Sequence, residues 1–339
     1  MLSEQNTMSL RLLSLLLLSS FAQTGFSQNI QLVETDQALT VTRGEKTILV
    51  YNKVSPPAPE GIDRVYERSG FIHPLVSPNG QCVTAAFPVD HPHQHGIFSA
   101  WVDTTYGDRA IDFWNLAKGT GDVRHEQVLM TSQEADSVAF KVALLHRGTQ
   151  APSIDILREH WLVRVHERGA DSYCFDIESS QWGLTDIPLM VNKYHYGGMA
   201  FRGRTEWLLP EDDYAKQHPE LQLSPVQLIN HKKEDRLDGN HTPTDWIALT
   251  GQAEVEEGSE AITLVVFSHP TNFRAPQPAR LHPTKPYFCF SPCVNASLLI
   301  EKDQPLTSNY RFLIQCSQPD SVWIDKEWKR WIGHAPVSD

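Results

Sequence analysis

Leu129 to Leu145 reads LMTSQEADSVAFKVALL, and shortly after it Ile156 to Val165 reads ILREHWLVRV. In the first stretch two runs flank the turn-forming Glu134-Ala135-Asp136, the pattern of a β-hairpin. In the second, Trp161, Val163 and Val165 fall at alternate positions and share one face of a strand. Tyr173, Phe175 and Ile177 repeat that spacing in the next segment. Outward from this centre, Ile30 and Leu32, Leu39 and Val41, and Ile48 and Val50 mark short strands toward the N-terminus. Trp246–Leu249, Ile262–Phe267, Tyr287–Phe290, Ala296–Ile300 and Ser308–Ile314 mark them toward the C-terminus. Short strands separated by turn signals predict an all-β protein, a large antiparallel β-sandwich over most of residues 28–320. Helix is expected only as a turn or two in Glu211–Leu221 and a short terminal helix in Asp320–Trp331. Pro210 to Thr244 reads as a long polar loop of the kind that carries binding edges.

Composition agrees with this class and narrows the partners. The 339 residues include 22 prolines and 19 glycines, with 29 basic against 41 acidic side chains and a net charge of −12. An acidic chain lacks the basic face that nucleic acid requires, so no nucleic-acid partner is expected. Met8–Ser27, MSLRLLSLLLLSSFAQTGFS, has a basic start, a short apolar run and small residues at its end. That reads as a signal peptide over residues 1–27, leaving residues 28–339 as one exported domain, periplasmic or secreted. No later run has the roughly 20 apolar residues of a membrane span. The five cysteines (Cys82, Cys174, Cys289, Cys293, Cys316) are expected mostly as buried free thiols, with no zinc-ligand spacing among them.

The most unusual stretch is Asp90-His91-Pro92-His93-Gln94-His95-Gly96, three of the fifteen histidines at alternate positions. On an extended backbone the three imidazoles share a face about 6.6 Å apart per pair. Two of them with a distant ligand suffice for a metal ion, or one for acid–base work near neutral pH. Other polar and aromatic groups are candidates to join them: His73, Asp112, Trp114, His125, Lys193, Tyr194, His195, Arg202, His269, Asn272, Arg274 and His282. Imidazoles, carboxylates, a guanidinium and flat aromatic faces suit a sugar, whose ring C–H groups stack while its hydroxyls take polar partners.

Ser69–Gly80 (SGFIHPLVSPNG), Asp90–Ile97 (DHPHQHGI), Asp112-Phe113-Trp114 and His269–Arg274 (HPTNFR) occur in one order along the chain. Together they resemble a family of secreted bacterial proteins labelled "methane oxygenase PmoA". The resemblance implies a galactose-mutarotase-like supersandwich from bacteria that digest polysaccharides, and His93 is the histidine it carries over most directly. A methane oxygenase activity is not expected, because the subunit of that name spans a membrane and this chain has no spanning run.

The leading expectation is therefore an exported carbohydrate-active enzyme, a lyase, hydrolase or epimerase acting on an oligosaccharide. His91, His93, Asp112, His195 and Arg202 are the expected catalytic set; His73, Trp114, Lys193, Tyr194, Asn272 and Arg274 are the expected substrate-binding set. Histidine supplies the acid or base and arginine the partner of a carboxylate or oxyanion. The alternatives are a site for one divalent metal, zinc or copper, built from His91, His93, His125 and His269, and a non-catalytic sugar-binding module.

Overall fold

The computed structural model describes residues 30–255 and 258–333, so the leader-like segment at residues 1–27 lies outside the described residues. The expected all-β architecture is present as two eight-stranded antiparallel sheets and one four-stranded sheet. The first large sheet runs, in spatial order, Ile30–Glu34, Ala38–Arg43, Lys46–Asn52, Phe71–Leu75, Ile97–Ala100, Gly198–Arg202, Tyr287–Phe290 and Ala279–Leu281. The second runs Gln227–Asn230, Trp246–Val255, Gly258–Ser268, Leu306–Gln315, Ser172–Gly183, Ile154–Glu167, Ser137–Gly148 and Gly121–Gln133. Leu298–Ile300, Leu189–Val191, Thr104–Tyr106 and Arg109–Ile111 form the small sheet.

The quoted hairpin is longer than the sequence pattern alone indicates. Gly121–Gln133 turns at residues 134–136 into Ser137–Gly148, and the Glu134 N–H closes the turn on the Ser137 carbonyl at 2.8 Å. Trp161, Val163 and Val165 point to one face and are fully buried, as their alternation requires. The two large sheets meet there. Phe290 of the first stacks on Tyr310 of the second at 5.2 Å, and Ser99 and Trp101 both reach Gln181. A carboxylate lies inside this layer: Glu159 takes hydrogen bonds from Trp161 Nε1 and Ser179 Oγ and faces His146 Nε2 at 2.7 Å.

The outer faces of the sheets are covered differently, and that difference positions the site. Part of the second sheet is covered by the helix Ser321–Ile332, which Asp320 caps and whose Ile324 packs on Trp246, Val265, Phe267 and Leu313. Phe288 and Phe290 point inward, so alternation turns Tyr287 and Cys289 to the outer face of the first sheet. Register then places Arg202 beside Tyr287 and Arg280 beside Cys289. Among the described residues no helix of that length covers this face. Loops do, and they carry the histidines.

The stretch Pro210–Thr244 is more structured than a loop. It holds the short helix Asp213–Gln217, capped by Asp212, and the edge strand Gln227–Asn230. All five cysteines are free thiols, with Cys174, Cys289 and Cys293 buried. Among the described residues no helix is long and apolar enough to cross a membrane.

Candidate functional site

The histidine segment is not an extended strand. The His91 N–H bonds to the Pro88 carbonyl and the Gln94 N–H to the His91 carbonyl, both at 2.9 Å, so two successive turns replace it. Pro92, with its fixed φ and missing N–H, suits such a turn. Gly96 ends the segment at φ +53°, where a Cβ would sit 2.2 Å from the Ile72 carbonyl oxygen. The turns split the three rings. His91 and His93 lie edge to face at 5.4 Å near the surface, whereas His95 is fully buried between Phe71 and Phe87. A common face for all three, expected from the spacing, is thus corrected to a pair and a core residue.

The segment is anchored from beneath by charge. Asp90 accepts from Arg202 Nη1 and Nη2 at 3.0 and 2.7 Å and lies 3.1 Å from Lys285 Nζ. Lys285 also bonds to Asp212 at 2.7 Å, giving two cations and two carboxylates in one buried row. Burial alone would raise the Asp90 carboxyl. The hydrogen bond with His91, together with Arg202 and Lys285, outweighs it and holds Asp90 well below the usual carboxylate range.

This network fixes the protons on two imidazoles. Ionised Asp90 can only accept, so the neutral form of the His91 ring, 3.2 Å away, carries its proton on Nδ1 and its lone pair on Nε2. His282 Nδ1 accepts the N–H groups of Thr284 and Lys285 at 3.2 and 3.1 Å, so the neutral ring carries its proton on Nε2. The two rings are 6.2 Å apart, and both line a cleft of about 550 Å³ with Asp212, Tyr214 and Lys285. One acceptor and one donor therefore stand in the same opening. Burial lowers His282 to about 3 with Arg280 and Lys285 adding to it, and lowers His93 to about 4 with His91 and Arg202 adding.

Beyond His282 the outer face continues through Tyr287, 6.1 Å from His282, to Trp114 and Tyr196. Tyr194, His195 and Tyr196 cluster with ring separations of 4.4 to 5.0 Å, and His241 lies 6.3 Å from His195. His241 holds a left-handed φ of 64°, uncommon for a residue with a Cβ, and bonds through Nε2 to the His195 carbonyl. Arg280 stands among these rings. Its one hydrogen bond is a 3.5 Å contact with the neighbouring Leu281 carbonyl, and no carboxylate among the described residues pairs with it. After burial, its charge is the next influence lowering His195, His241 and His282.

A family described as "Family of unknown function (DUF6807)" matches residues 38–329. The chain belongs to this family. The DUF6807 description carries no PmoA label. Among solved structures, heparan sulfate lyase HepC from Pedobacter heparinus is similar at 9% identity with a TM-score of 0.37. The alignment covers 87% of this chain but 36% of HepC, so the chain spans about a third of that enzyme's length. The Slr1438 protein from Synechocystis sp. PCC 6803 aligns at 12% identity and TM-score 0.35, over 85% of this chain and 96% of that one. No curated protein matches.

Within this DUF6807 chain several expected site residues serve the scaffold instead. Arg202 is fully buried and spent on Asp90, Gln94 and the Gly203 carbonyl, so it positions the histidine turn. Asp112 accepts from Trp114 N, Asn115 N, Asn115 Nδ2 and Lys118 Nζ and thereby folds the 112–118 loop. Trp114 is fully buried against Phe98 and offers no open face. Asn272 is saturated by Ser268 and Asn309. Arg274 donates to the carbonyls of Pro292, Ala296 and Ser297. His73 bonds to Thr84 at 2.9 Å under the buried His95.

The four proposed metal ligands are not brought together. His125 bonds to Tyr51 at 3.1 Å and His269 to Thr271 at 2.7 Å beside Trp331, away from the His91–His93 pair. No group of three His, Cys, Asp or Glu side chains among the described residues is placed to hold a metal ion. His91, His93, Tyr194 and His195 do remain on the loops over the outer face, with Lys193 exposed at the rim. Arg280, Lys285, Asp212 and His241 lie in no motif that marks them as site residues. Only the Asp212-Asp213 pair left a trace, as a helix-capping signal in Pro210–Thr244.

These depressed imidazoles set an acid limit on the fold. His73, His93 and His125 fall to about 4 and His282 to about 3, each chiefly through burial. The unfolded chain takes up those protons near pH ~6.5 while the folded chain resists, so their stabilisation is complete above that value and declines as pH falls toward about 4. The guanidinium midpoint is expected to drop between about pH 7 and pH 5 and to change little from about pH 8 to pH 7. A midpoint that is flat down to pH 5 would contradict the burial of these rings.

Proposed function

We propose that the chain is an exported carbohydrate-active enzyme that moves a proton at a sugar ring, with His91 Nε2 as base and His282 Nε2–H as acid. The leader-like Met8–Ser27 supports export, and the loop-covered sheet suits a galactose-mutarotase-like sandwich. The observation that carries the reading is a pair of imidazoles in one cleft whose hydrogen-bond partners favour opposite tautomers, His91 beside Asp90 and His282 beside two backbone N–H groups.

The environment favours elimination or epimerisation over two-carboxylate hydrolysis. Of the carboxylates lining the cleft, Asp90 and Asp212 are held by arginine or lysine and are not free acids or nucleophiles. Glu211 and Asp213 stand exposed at its rim, away from the His91–His282 pair's buried support. In an elimination, His91 takes the ring C–H proton, the C–H electrons form the C=C bond, and the departing oxygen receives the His282 proton; the proton on His91 then passes through solvent to His282, restoring both neutral rings. The C–H and C–O bonds break, C=C and O–H form, and nothing is oxidised.

Incubating the full chain with plant and algal oligosaccharides in deuterated water tests this. Expected are fragments whose masses sum to the substrate, or deuterium at a ring carbon of an intact sugar. Fragments that have gained a water, or unchanged sugars with no deuterium across the panel, would refute the assignment.

A further inference from the structure

Arg280 is a solvent-reachable arginine on this face whose partners do not explain it, unlike the fully enclosed Arg68 stacked over Phe98. Arg202 and Arg274 are both saturated by fixed acceptors, Arg202 by Asp90 and Gln94 and Arg274 by three carbonyls. Arg280 is half-buried on the outer face, in register with Cys289 and two residues before His282, and has only the weak Leu281 carbonyl contact. The groups its charge acts on are uncharged rings and a thiol: His195, His241, His282, Tyr287 and Cys289. A guanidinium taken partly out of water has a desolvation cost that neutral rings do not offset.

We propose that Arg280 receives the carboxylate of the substrate, so that the sugar bound here is a uronic acid residue. This rests on the acid–base reading of the His91–His282 cleft. A planar fork of N–H donors matches a carboxylate in two parallel hydrogen bonds. A carboxylate held there would lie on the same side of the sheet as His282 and His91. The proton that elimination or epimerisation removes from a uronate is the one on the carbon bearing that carboxylate. Pairing the carboxylate with Arg280 stabilises the negative charge that spreads onto it as the proton leaves. The acidic chain makes this local cation the more telling, since a net charge of −12 repels anions elsewhere.

The test is calorimetric binding of the full chain to trimers of galacturonate, glucuronate and mannuronate, each beside its carboxyl-reduced neutral counterpart. At least one acidic trimer is expected to bind about 10- to 100-fold more tightly than its neutral twin. Arg280→Gln should erase that preference and Arg280→Lys should keep part of it, with far-UV circular dichroism confirming the fold. Equal binding of acidic and neutral trimers by the unaltered protein would overturn the proposal, as would a preference that survives in a folded Arg280→Gln protein. If Arg280→Gln does not fold, the comparison of twins on the unaltered protein and on Arg280→Lys decides. Turnover of neutral sugars without any acidic preference sinks the uronate assignment alone, whereas no binding and no turnover of any sugar sinks the acid–base reading with it.

Discussion

Asp90→Ala is expected to lower the unfolding free energy by about 3–5 kcal/mol, the usual cost of removing one member of a buried ion pair. The side chain of Arg202 is fully buried and those of Asp90 and Lys285 nearly so. Without the carboxylate, Arg202 keeps only Gln94 and a carbonyl, and its charge has no counter-ion within reach. Lys285 keeps Asp212, so the loss falls mainly on the arginine. An exposed pair such as Lys302 with Asp186 makes the contrast: its removal should cost under about 1 kcal/mol. Guanidinium unfolding of the two variants beside the unaltered protein measures both. An Asp90→Ala loss no larger than that of Asp186→Ala would show that the charged row does not hold the histidine turn in place.

His91→Ala is expected to have the opposite profile: turnover of a sugar substrate lost by about 10²- to 10⁴-fold, the range for a removed general base. Stability should change by less than about 1 kcal/mol, because the ring is 35% exposed and packs loosely against His93. His91→Gln keeps a polar side chain at the position but has no basic nitrogen, so it should be as inactive as alanine. His95→Ala separates structure from chemistry in the other sense. It opens a cavity between Phe71 and Phe87 and should destabilise without a direct effect on the proton acceptor. Wild-type turnover in His91→Ala, on any substrate the unaltered protein converts, would remove His91 from the mechanism.

The strands were legible in the sequence because each buries one face, and the alternation of Trp161, Val163 and Val165 is a direct imprint of that burial. The histidine segment was legible by composition but not by shape. Three histidines at alternate positions look like a strand face, yet Pro92 and the left-handed Gly96 bend the chain, and His95 turns into the core. The arginines show a second limit. Nothing local distinguishes Arg202 from Arg280; what separates them is Asp90, 112 residues from Arg202 in sequence, which neutralises one and leaves the other. Asp112 looked like a catalytic carboxylate because no motif announces that a loop three residues on will saturate it with backbone N–H groups. Pairings between distant segments decide which polar groups are free, and a single sequence does not record them.

The most direct measurement is a crystal structure of His91→Ala with an acidic trimer that the unaltered protein consumes. The account predicts a sugar ring over the outer face of the first sheet, its carboxylate on the Arg280 guanidinium and its leaving oxygen within hydrogen-bond reach of His282 Nε2. A trimer bound on another surface, with Arg280 and His282 untouched, would contradict it.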